Sequence, residues 1–163
     1  MFQDAFKKAL YDPFEKICDC ELVVETGNSV ERMAKIEANY AGADDAVMLD
    51  HQGFLSETNA TNMFLVKDET IYTPFANSCL PGFTRQAVME IAKAENLSFK
   101  EKDLSMAEMY TADEVFTTGT MGALSWVKEI DGRKIGLGKK GATTTNLQKY
   151  YSNKVKQEAV PIH

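Results

Sequence analysis

The sequence predicts a mixed α/β fold of the α+β kind, and three observations lead to that prediction. The chain has 163 residues, a length that suits one domain of ordinary size. Hydrophobic residues make up 44% of it, which is typical of a chain with a core and too much for a disordered one. Short β-like segments in pairs are interspersed with segments of helical periodicity, and neither a repeat nor a Pro/Gly/Ser-rich linker divides them. Hairpins mixed with helices favour an α+β arrangement over a regular series of βαβ units.

Four segments have the spacing or the end signals of helices. The first helix is predicted over Val30–Gly42 and the second over Thr84–Asn96, each with apolar residues recurring on one face. A capping box at Ser105–Glu108 predicts a short third helix that reaches about Ala112. The last helix is predicted over Thr143–Ala159, where an apolar stripe recurs at helical spacing.

The predicted strands lie between these helices and are bounded by turn residues. Two hairpins are expected, one around Asp50–Gly53 and one around Asp68 and Glu69, and a tight turn is expected at Asp131-Gly132. In chain order the strands are Ala46–Leu49, Phe54–Ser56, Asn62–Lys67, Thr70–Thr73, Leu97–Leu104, Glu114–Thr118 and Leu124–Ile130.

The first 30 residues give weaker signals. Phe2–Ile17 has rough helical spacing that Asp12-Pro13 interrupts, and Leu22–Val24 fits a short strand. The start of the chain lacks the basic residues and unbroken apolar run of a secretory signal. We therefore expect a cytoplasmic protein.

Charge and composition exclude several classes of function. With 18 Lys+Arg against 24 Asp+Glu, the formal charge is −6, which argues against a nucleic-acid partner bound by phosphate neutralisation. No apolar run approaches the ~18 residues of a membrane span, so we expect no membrane partner. Three Cys and two His occur without the spacing of a metal site, so Cys18-Asp-Cys20 is interpreted as reduced thiols.

Three short segments contain residues that ordinary core packing does not require. Leu80–Arg85 is a glycine-containing turn that leads into a helix, and Thr117–Gly122 is a small-residue turn that follows a strand. Free amides and hydroxyls in such turns suit a phosphate, and two turns could clamp one phosphate between them. Ser56–Asn62 places an acid, Glu57, in a polar run between two strands. Each segment alone also fits an ordinary turn or a solvated acid, and spacing does not choose between these interpretations.

The amino-acid sequence of these segments resembles that of the class IV pyridoxal-phosphate aminotransferases, above all the branched-chain and D-amino-acid aminotransferases. The resemblance covers about Met33–Tyr150, or about three-quarters of the chain. It implies the C-terminal domain of that family, a mixed sheet or pseudo-barrel with flanking helices. It rests on Met48-Leu-Asp50, Gly53-Phe-Leu-Ser-Glu57-Thr-Asn-Ala-Thr-Asn62-Met-Phe64, Thr73-Pro74, Leu80-Pro-Gly-Phe-Thr-Arg85, Ala112-Asp-Glu-Val-Phe-Thr-Thr-Gly-Thr120, Ile130-Asp-Gly-Arg133 and Gly138–Gly141.

The resemblance implies pyridoxal 5′-phosphate as the cofactor and gives residues of the first two segments a role. Glu57 matches the carboxylate that pairs with the pyridine nitrogen and keeps it protonated. Leu80 matches the apolar residue that packs on the face of the ring. Gly82, Phe83 and Thr84 match the first group of donors to the cofactor phosphate.

The third segment is given two roles by the same resemblance. Gly119 and Thr120 match the second phosphate loop. Thr120 and Met121 match the turn whose amides meet the carboxylate of the substrate. Arg85 belongs to the motif as well, but we expect it to pack on or in the helix.

This chain departs from the family at its lysine. In the family a lysine holds the cofactor as a Schiff base and moves the substrate proton, but the family's spacing counted back from Glu57 lands on Leu22. Lys16 is the nearest upstream alternative and would need an insertion, whereas Lys35 is expected in solvent. No catalytic residue is therefore identified, and the family's N-terminal small domain is not matched. We expect a truncated or divergent member, with residues 1–30 a divergent segment and residues 31–163 the class IV C-terminal, cofactor-binding domain.

Three interpretations of function stay open. The resemblance implies a transaminase that moves an amino group from a branched-chain amino acid to 2-oxoglutarate, acting as a homodimer. The alternatives are a catalytically inactive binding module, or a class IV relative such as D-amino-acid aminotransferase or aminodeoxychorismate lyase. Without the small domain, Leu80 and Met121 should be exposed, or else covered by residues 1–30.

Overall fold

The computed structural model describes Ile17 and residues 29–159, with only the backbone described for residues 29–31. The predicted helix over Phe2–Ile17, except for Ile17 itself, and the predicted strand Leu22–Val24 lie outside the described residues. So do Lys16 and the Cys18-Asp-Cys20 pair. In the described part the helices are α1 (Ser29–Tyr40), α2 (Phe83–Ala94), α3 (Met106–Tyr110) and α4 (Ala142–Glu158). The strands are β1 (Val47–Leu49), β2 (Leu55–Thr58), β3 (Asn62–Lys67), β4 (Thr70–Thr73), β5 (Phe99–Glu101), β6 (Glu114–Gly119), β7 (Ala123–Trp126), β8 (Glu129–Ile130) and β9 (Arg133–Lys134).

Strands β1 to β7 form one mixed sheet that is organised around β3. The path runs β1-β2-β3-β4-β5, and β6 pairs with β3 and carries β7. All pairs in this sheet are antiparallel except β4–β5, which is parallel. Strands β8 and β9 form a separate two-stranded hairpin. The predicted mixed α/β fold is thus confirmed.

Local chemistry explains the two predicted hairpins. Asp68 and Glu69 both have positive φ, 47° and 59°, which is the backbone of the tight turns that match the twist of β-hairpins. The Asp113 carboxylate accepts a hydrogen bond from the Asp68 amide at 2.9 Å and stabilises that turn. In the other hairpin, Asp50 Oδ1 accepts from the amides of Gln52 and Phe54, each at 2.9 Å.

The core lies on both faces of the sheet because β3 is buried on both. Met63 and Leu65 point into one cluster, which α3 and the β8–β9 hairpin cover, and Phe64 and Val66 point into the other. The second cluster is covered by α2 and α4 and contains a stacked pair of rings, Phe64 and Phe116, with centroids 4.9 Å apart. A strand buried on both faces has an uninterrupted apolar run, as β3 does.

Helix α4 takes its N-terminal cap from a distant strand. Its N-cap position, Gly141, has no capping side chain, and the Glu114 carboxylate of β6 accepts instead from the amides of Thr143 at 2.9 Å and Thr144 at 2.8 Å. The Thr144 hydroxyl adds a third bond at 2.6 Å. A Cβ at Gly141 would lie 2.0 Å from Glu114 Cδ, so this close approach requires glycine.

Two strand predictions are wrong in extent. The expected strand Leu124–Ile130 is two strands: the Val127 amide makes a last bond to the Val115 carbonyl of β6, and from Lys128 the chain bonds to the β8–β9 hairpin instead. The expected strand Leu97–Leu104 is ordered as a strand only over Phe99–Glu101, beyond which Leu104 turns into the core. Helix α1 forms as predicted, but the apolar residues Met33 and Ile36 on it stay 62% and 49% exposed. Among the helices that the structure describes, none has the length and apolarity to cross a membrane.

Candidate functional site

A cleft of about 170 Å³ opens where β2, β3 and β6 meet the start of α2. It contains all the residues that the sequence predicts as cofactor contacts, namely Glu57, Leu80, Gly82, Phe83, Thr84, Gly119 and Thr120. The cleft is also lined by Asn59, Ala60, Thr61, Asn62 and Thr118. Met121, predicted to meet the substrate, is fully exposed at 102% and is not part of this lining.

The strand register builds one polar row across the floor of the cleft. Glu57 of β2 lies opposite Asn62 of β3, and Asn62 lies opposite Thr118 of β6. Directly opposed residues in antiparallel pairs point to the same face of a sheet. The row Glu57–Asn62–Thr118 therefore faces one side, and all three residues line the cleft.

The loop that carries Leu80 is held to this row by side-chain hydrogen bonds. The Leu80 amide donates to Glu57 Oε2 at 3.2 Å, and Asn62 Nδ2 donates to the Leu80 carbonyl at 2.8 Å. Ser56 Oγ donates to the Ser78 carbonyl at 2.9 Å. These bonds hold the loop backbone while the Leu80 side chain stays 72% exposed at the cleft, as expected if nothing covers it.

The N-terminus of α2 opens into the cleft. Gly82 is its N-cap residue, no side chain caps it, and its first turn contains no acidic residue. Backbone amides and the helix dipole at such an end favour an anion. A Cβ on Gly82 would lie 2.3 Å from Asn62 Oδ1, so glycine is what lets the helix start approach the row.

The second predicted loop approaches the same cleft from β6. Gly119 packs against the β2–β3 turn, where a Cβ would lie 3.0 Å from Thr61 Cγ2. That turn is fixed by a hydrogen bond of 2.7 Å between the hydroxyls of Thr58 and Thr61. The two glycine-containing loops, which lie far apart in sequence, therefore line one concave surface.

Two buried polar atoms of the cleft residues have no hydrogen-bond partner in the described structure, Thr118 Oγ1 and Asn59 Oδ1. Thr118 is only 2% exposed. A buried polar group without a partner destabilises a protein by about 1–3 kcal/mol, so such groups mark places where a ligand or water completes the bonding.

A carboxylate and a thiol shape the electrostatics beside the row. Burial raises the pKa of the Cys79 thiol, and the neighbouring Glu57 carboxylate raises it further. Asn62 Nδ2 also approaches Cys79 Sγ at 3.7 Å. The thiol is therefore held neutral, and Glu57 supplies the anionic charge at this end of the cleft.

Lysine and arginine are placed differently. No lysine in the described part of the chain lines the cleft, and the Lys35 ammonium donates to the Asp44 carbonyl instead. Arg85 is 6% exposed and donates to the Pro74 carbonyl at 2.8 Å and to Glu101 at 2.5 Å. Arg85 does not line the cleft, which agrees with the packing role expected for it.

Five lining residues were missed as site residues from the sequence. Asn59, Ala60, Thr61 and Asn62 all lie in the polar run that the sequence had singled out for Glu57 alone. Thr118 directly precedes the predicted second loop. Their proximity in the sequence to the predicted site residues was the signal that could have identified them. Which of these side chains face the cleft, however, depends on strand register.

Known proteins are similar to this chain in sequence and in fold. Residues 26–130 match the family described as Amino-transferase class IV. A branched-chain-amino-acid aminotransferase-like protein 2 of Arabidopsis thaliana is 55% identical over 130 residues, which are 80% of this chain and 23% of that protein. The branched-chain-amino-acid aminotransferase of Pseudomonas aeruginosa is 43% identical over 119 residues, which are 73% of this chain and 39% of that protein.

A solved structure gives the same relationship. The T.th. branched-chain amino acid aminotransferase with pyridoxamine 5′-phosphate superimposes with a TM-score of 0.76 at 37% identity, over 78% of this chain and 42% of that one. The chain therefore spans between about a quarter and under half of the length of these relatives.

Proposed function

Because this chain belongs to the class IV aminotransferase family, we propose that its cleft binds the phosphorylated pyridoxal cofactor of a transaminase. The observation that carries the proposal is that the ring-partner acid and both phosphate loops, predicted separately, line a single cleft. We further propose that residues 31–163 correspond to the cofactor-binding, C-terminal domain of such an enzyme, with residues 1–30 a divergent segment.

The residues of the cleft fit such a cofactor. Its phosphate needs backbone donors, and Gly82 and Gly119 let the start of α2 and the second loop pack against the cleft wall, since a Cβ would lie 2.3 Å from Asn62 Oδ1 and 3.0 Å from Thr61 Cγ2. The uncapped start of α2 lies beside Gly82, and the Thr118 hydroxyl is buried without a partner among the described residues. Leu80 offers an apolar surface of the kind that packs on an aromatic ring.

Each protein group then has a defined task. When bound, the cofactor supplies an electron sink for the carbanion that forms as a substrate amino acid loses its α-proton. Glu57 would hold a proton on the ring nitrogen, and the Leu80 amide, which donates to Glu57 Oε2 at 3.2 Å, orients that carboxylate. The phosphate would be held by the backbone and hydroxyl donors of Gly82, Phe83 and Thr84 together with those of Gly119 and Thr120.

The substrate is proposed from the named relatives. Two of them are branched-chain-amino-acid aminotransferases, so we infer an amino group moved between a branched-chain amino acid and 2-oxoglutarate by the assembled enzyme. Thr120 and Met121 are proposed to meet the substrate carboxylate, and Met121 is exposed enough to do so. Association into a homodimer stays a prediction, which sedimentation would test.

A second candidate is a binding module without turnover. It is favoured by one observation, that none of the lysines in residues 29–159 lines the cleft. Turnover then requires a lysine from the remainder of the chain, where Lys16 is the nearest upstream alternative, or from another chain.

Calorimetric titration with pyridoxamine 5′-phosphate tests the cofactor proposal, because this ligand needs no lysine to bind. We expect saturable binding of pyridoxamine 5′-phosphate and a much lower affinity for unphosphorylated pyridoxamine. The substitution Glu57→Gln should lower the affinity for both ligands. Equal affinity with and without the phosphate, or no binding at all, would refute the proposal.

Borohydride reduction with pyridoxal 5′-phosphate, followed by peptide mass mapping, separates the two candidates. A stoichiometric label on Lys16 supports a transaminase. Phosphate-dependent binding without any specific lysine label supports the binding module. Activity with leucine and 2-oxoglutarate, compared with aminodeoxychorismate, then discriminates between class IV reactions.

A further inference from the structure

We propose that the hydroxyl of Thr118 is an additional ligand of the phosphate group bound in this cleft. In the second loop the sequence-derived phosphate contacts are Gly119 and Thr120, and they do not include Thr118. The inference rests on the proposed function, because it assigns one more protein atom to the same ligand.

Thr118 differs from comparable threonines of this core. Its side chain is 2% exposed and Oγ1 is buried without a partner among the described residues. Thr73 is 0% exposed and its hydroxyl donates to the Met63 carbonyl at 2.7 Å, while the Thr144 hydroxyl donates to Glu114 at 2.6 Å. Buried hydroxyls are normally satisfied in this way, so the exception at Thr118 requires a reason.

The position of Thr118 supplies that reason. It lines the cleft, lies in the polar row with Glu57 and Asn62, and is followed at once by the glycine of the second loop. Two inter-strand spacings, about 10 Å, separate it from Glu57. That span suits a pyridine ring with its phosphate arm when the ring nitrogen faces Glu57 and the phosphate faces β6.

The chemistry of the atom selects the ligand group. A hydroxyl can donate a hydrogen bond to an anionic phosphate oxygen, and hydrogen bonds to charged acceptors are the strong ones. Asn59 Oδ1, the other buried side-chain oxygen without a partner among the described residues, can only accept and cannot serve a phosphate oxygen in this way. The Thr118 hydroxyl without a hydrogen-bond partner destabilises the ligand-free chain. A bound phosphate would accept its hydrogen bond and remove that destabilisation.

The test compares the same substitution at two buried threonines. Thr118→Val removes a hydroxyl without a partner in the described structure, and Thr73→Val removes one whose partner is the Met63 carbonyl. For each variant, the melting temperature of the ligand-free chain and the affinities for pyridoxamine 5′-phosphate and unphosphorylated pyridoxamine are measured.

Thr118→Val should leave the melting temperature of the ligand-free chain unchanged or raise it. The same substitution should lower the affinity for pyridoxamine 5′-phosphate by about ten-fold or more. Its affinity for pyridoxamine should not change. Thr73→Val should lower the melting temperature and leave the affinity for the phosphorylated ligand nearly unaltered. This opposite pattern is one that a purely structural role for Thr118 would not produce.

Three results would overturn the inference while the proposed function stands. They are unchanged binding of the phosphorylated ligand by Thr118→Val, an equal loss for both ligands, or a melting-temperature loss like that of Thr73→Val. If the unsubstituted chain fails to bind pyridoxamine 5′-phosphate, the proposed function fails first and the inference fails with it.

Discussion

Replacement of Gly82 by alanine should destabilise the fold through one contact, the side chain of Asn62. Gly82 has φ −64° and ψ 142°, which alanine adopts without strain, so the backbone itself contributes little. The new Cβ would lie 2.3 Å from Asn62 Oδ1, whereas ordinary contact begins at 3.4 Å, so the atoms must separate by about 1.1 Å. Asn62 is 6% exposed and can move only by releasing its 2.8 Å bond to the Leu80 carbonyl. Overpacking of this size costs about 1–3 kcal/mol of unfolding free energy.

A double-mutant cycle isolates that contact. Asn62→Ala alone loses the part-buried bond to the Leu80 carbonyl and should cost about 0.5–1.5 kcal/mol. In the Asn62→Ala background the obstructing atom is gone, so Gly82→Ala should cost nothing or stabilise by about 0.5 kcal/mol through reduced chain entropy. Urea unfolding of the four proteins measures the coupling. If the two costs add within about 0.5 kcal/mol, the contact does not control the start of α2 and the reasoning is refuted.

Three further predictions concern polar contacts outside the cleft. Glu114→Ala should cost about 2 kcal/mol by removing the hydrogen bonds at the first turn of α4, and helical circular dichroism should report early fraying of that helix on heating. Arg85→Ala should cost about 3 kcal/mol of unfolding free energy in urea, because it removes a buried side chain together with its bonds to the Pro74 carbonyl and to Glu101; a cost below about 1 kcal/mol would contradict this. The Lys102 ammonium, with the Ser105 amide, lowers the pKa of Glu108 from 4.5 to about 2. The resulting stabilisation is complete above pH 4.5 and is lost as the pH falls toward 2. Since the Glu108 side chain is 43% exposed, this stabilisation amounts to about 0.5–1 kcal/mol. The substitution Glu108→Gln should abolish the corresponding fall in melting temperature at acid pH.

Features set by near neighbours in the chain were predictable from the sequence. The β3–β4 hairpin turns at Asp68 and Glu69 as predicted, because alternation and turn residues are read from adjacent positions. The capping box at Ser105 and Glu108 forms for the same reason. The prediction of one strand over Leu124–Ile130 was wrong, because a strand-like segment gives no sign that the chain changes its pairing partner midway.

The sequence by itself determined the kind of elements in this protein, the family resemblance and the residue types of a phosphate site. Only the tertiary structure decided that Glu57, Gly82 and Gly119 line one cleft, since strand register and the packing of α2 bring together positions far apart in the chain. It also decided which polar side chains of the cleft have partners. Asn62 and Thr118 lie opposite one another in the sheet. Of these two side chains only that of Asn62 has a hydrogen-bond partner in the described structure, because the Leu80 carbonyl lies within its reach. Such differences depend on how segments that are distant in the sequence are positioned in the fold, and no local sequence pattern contains that information.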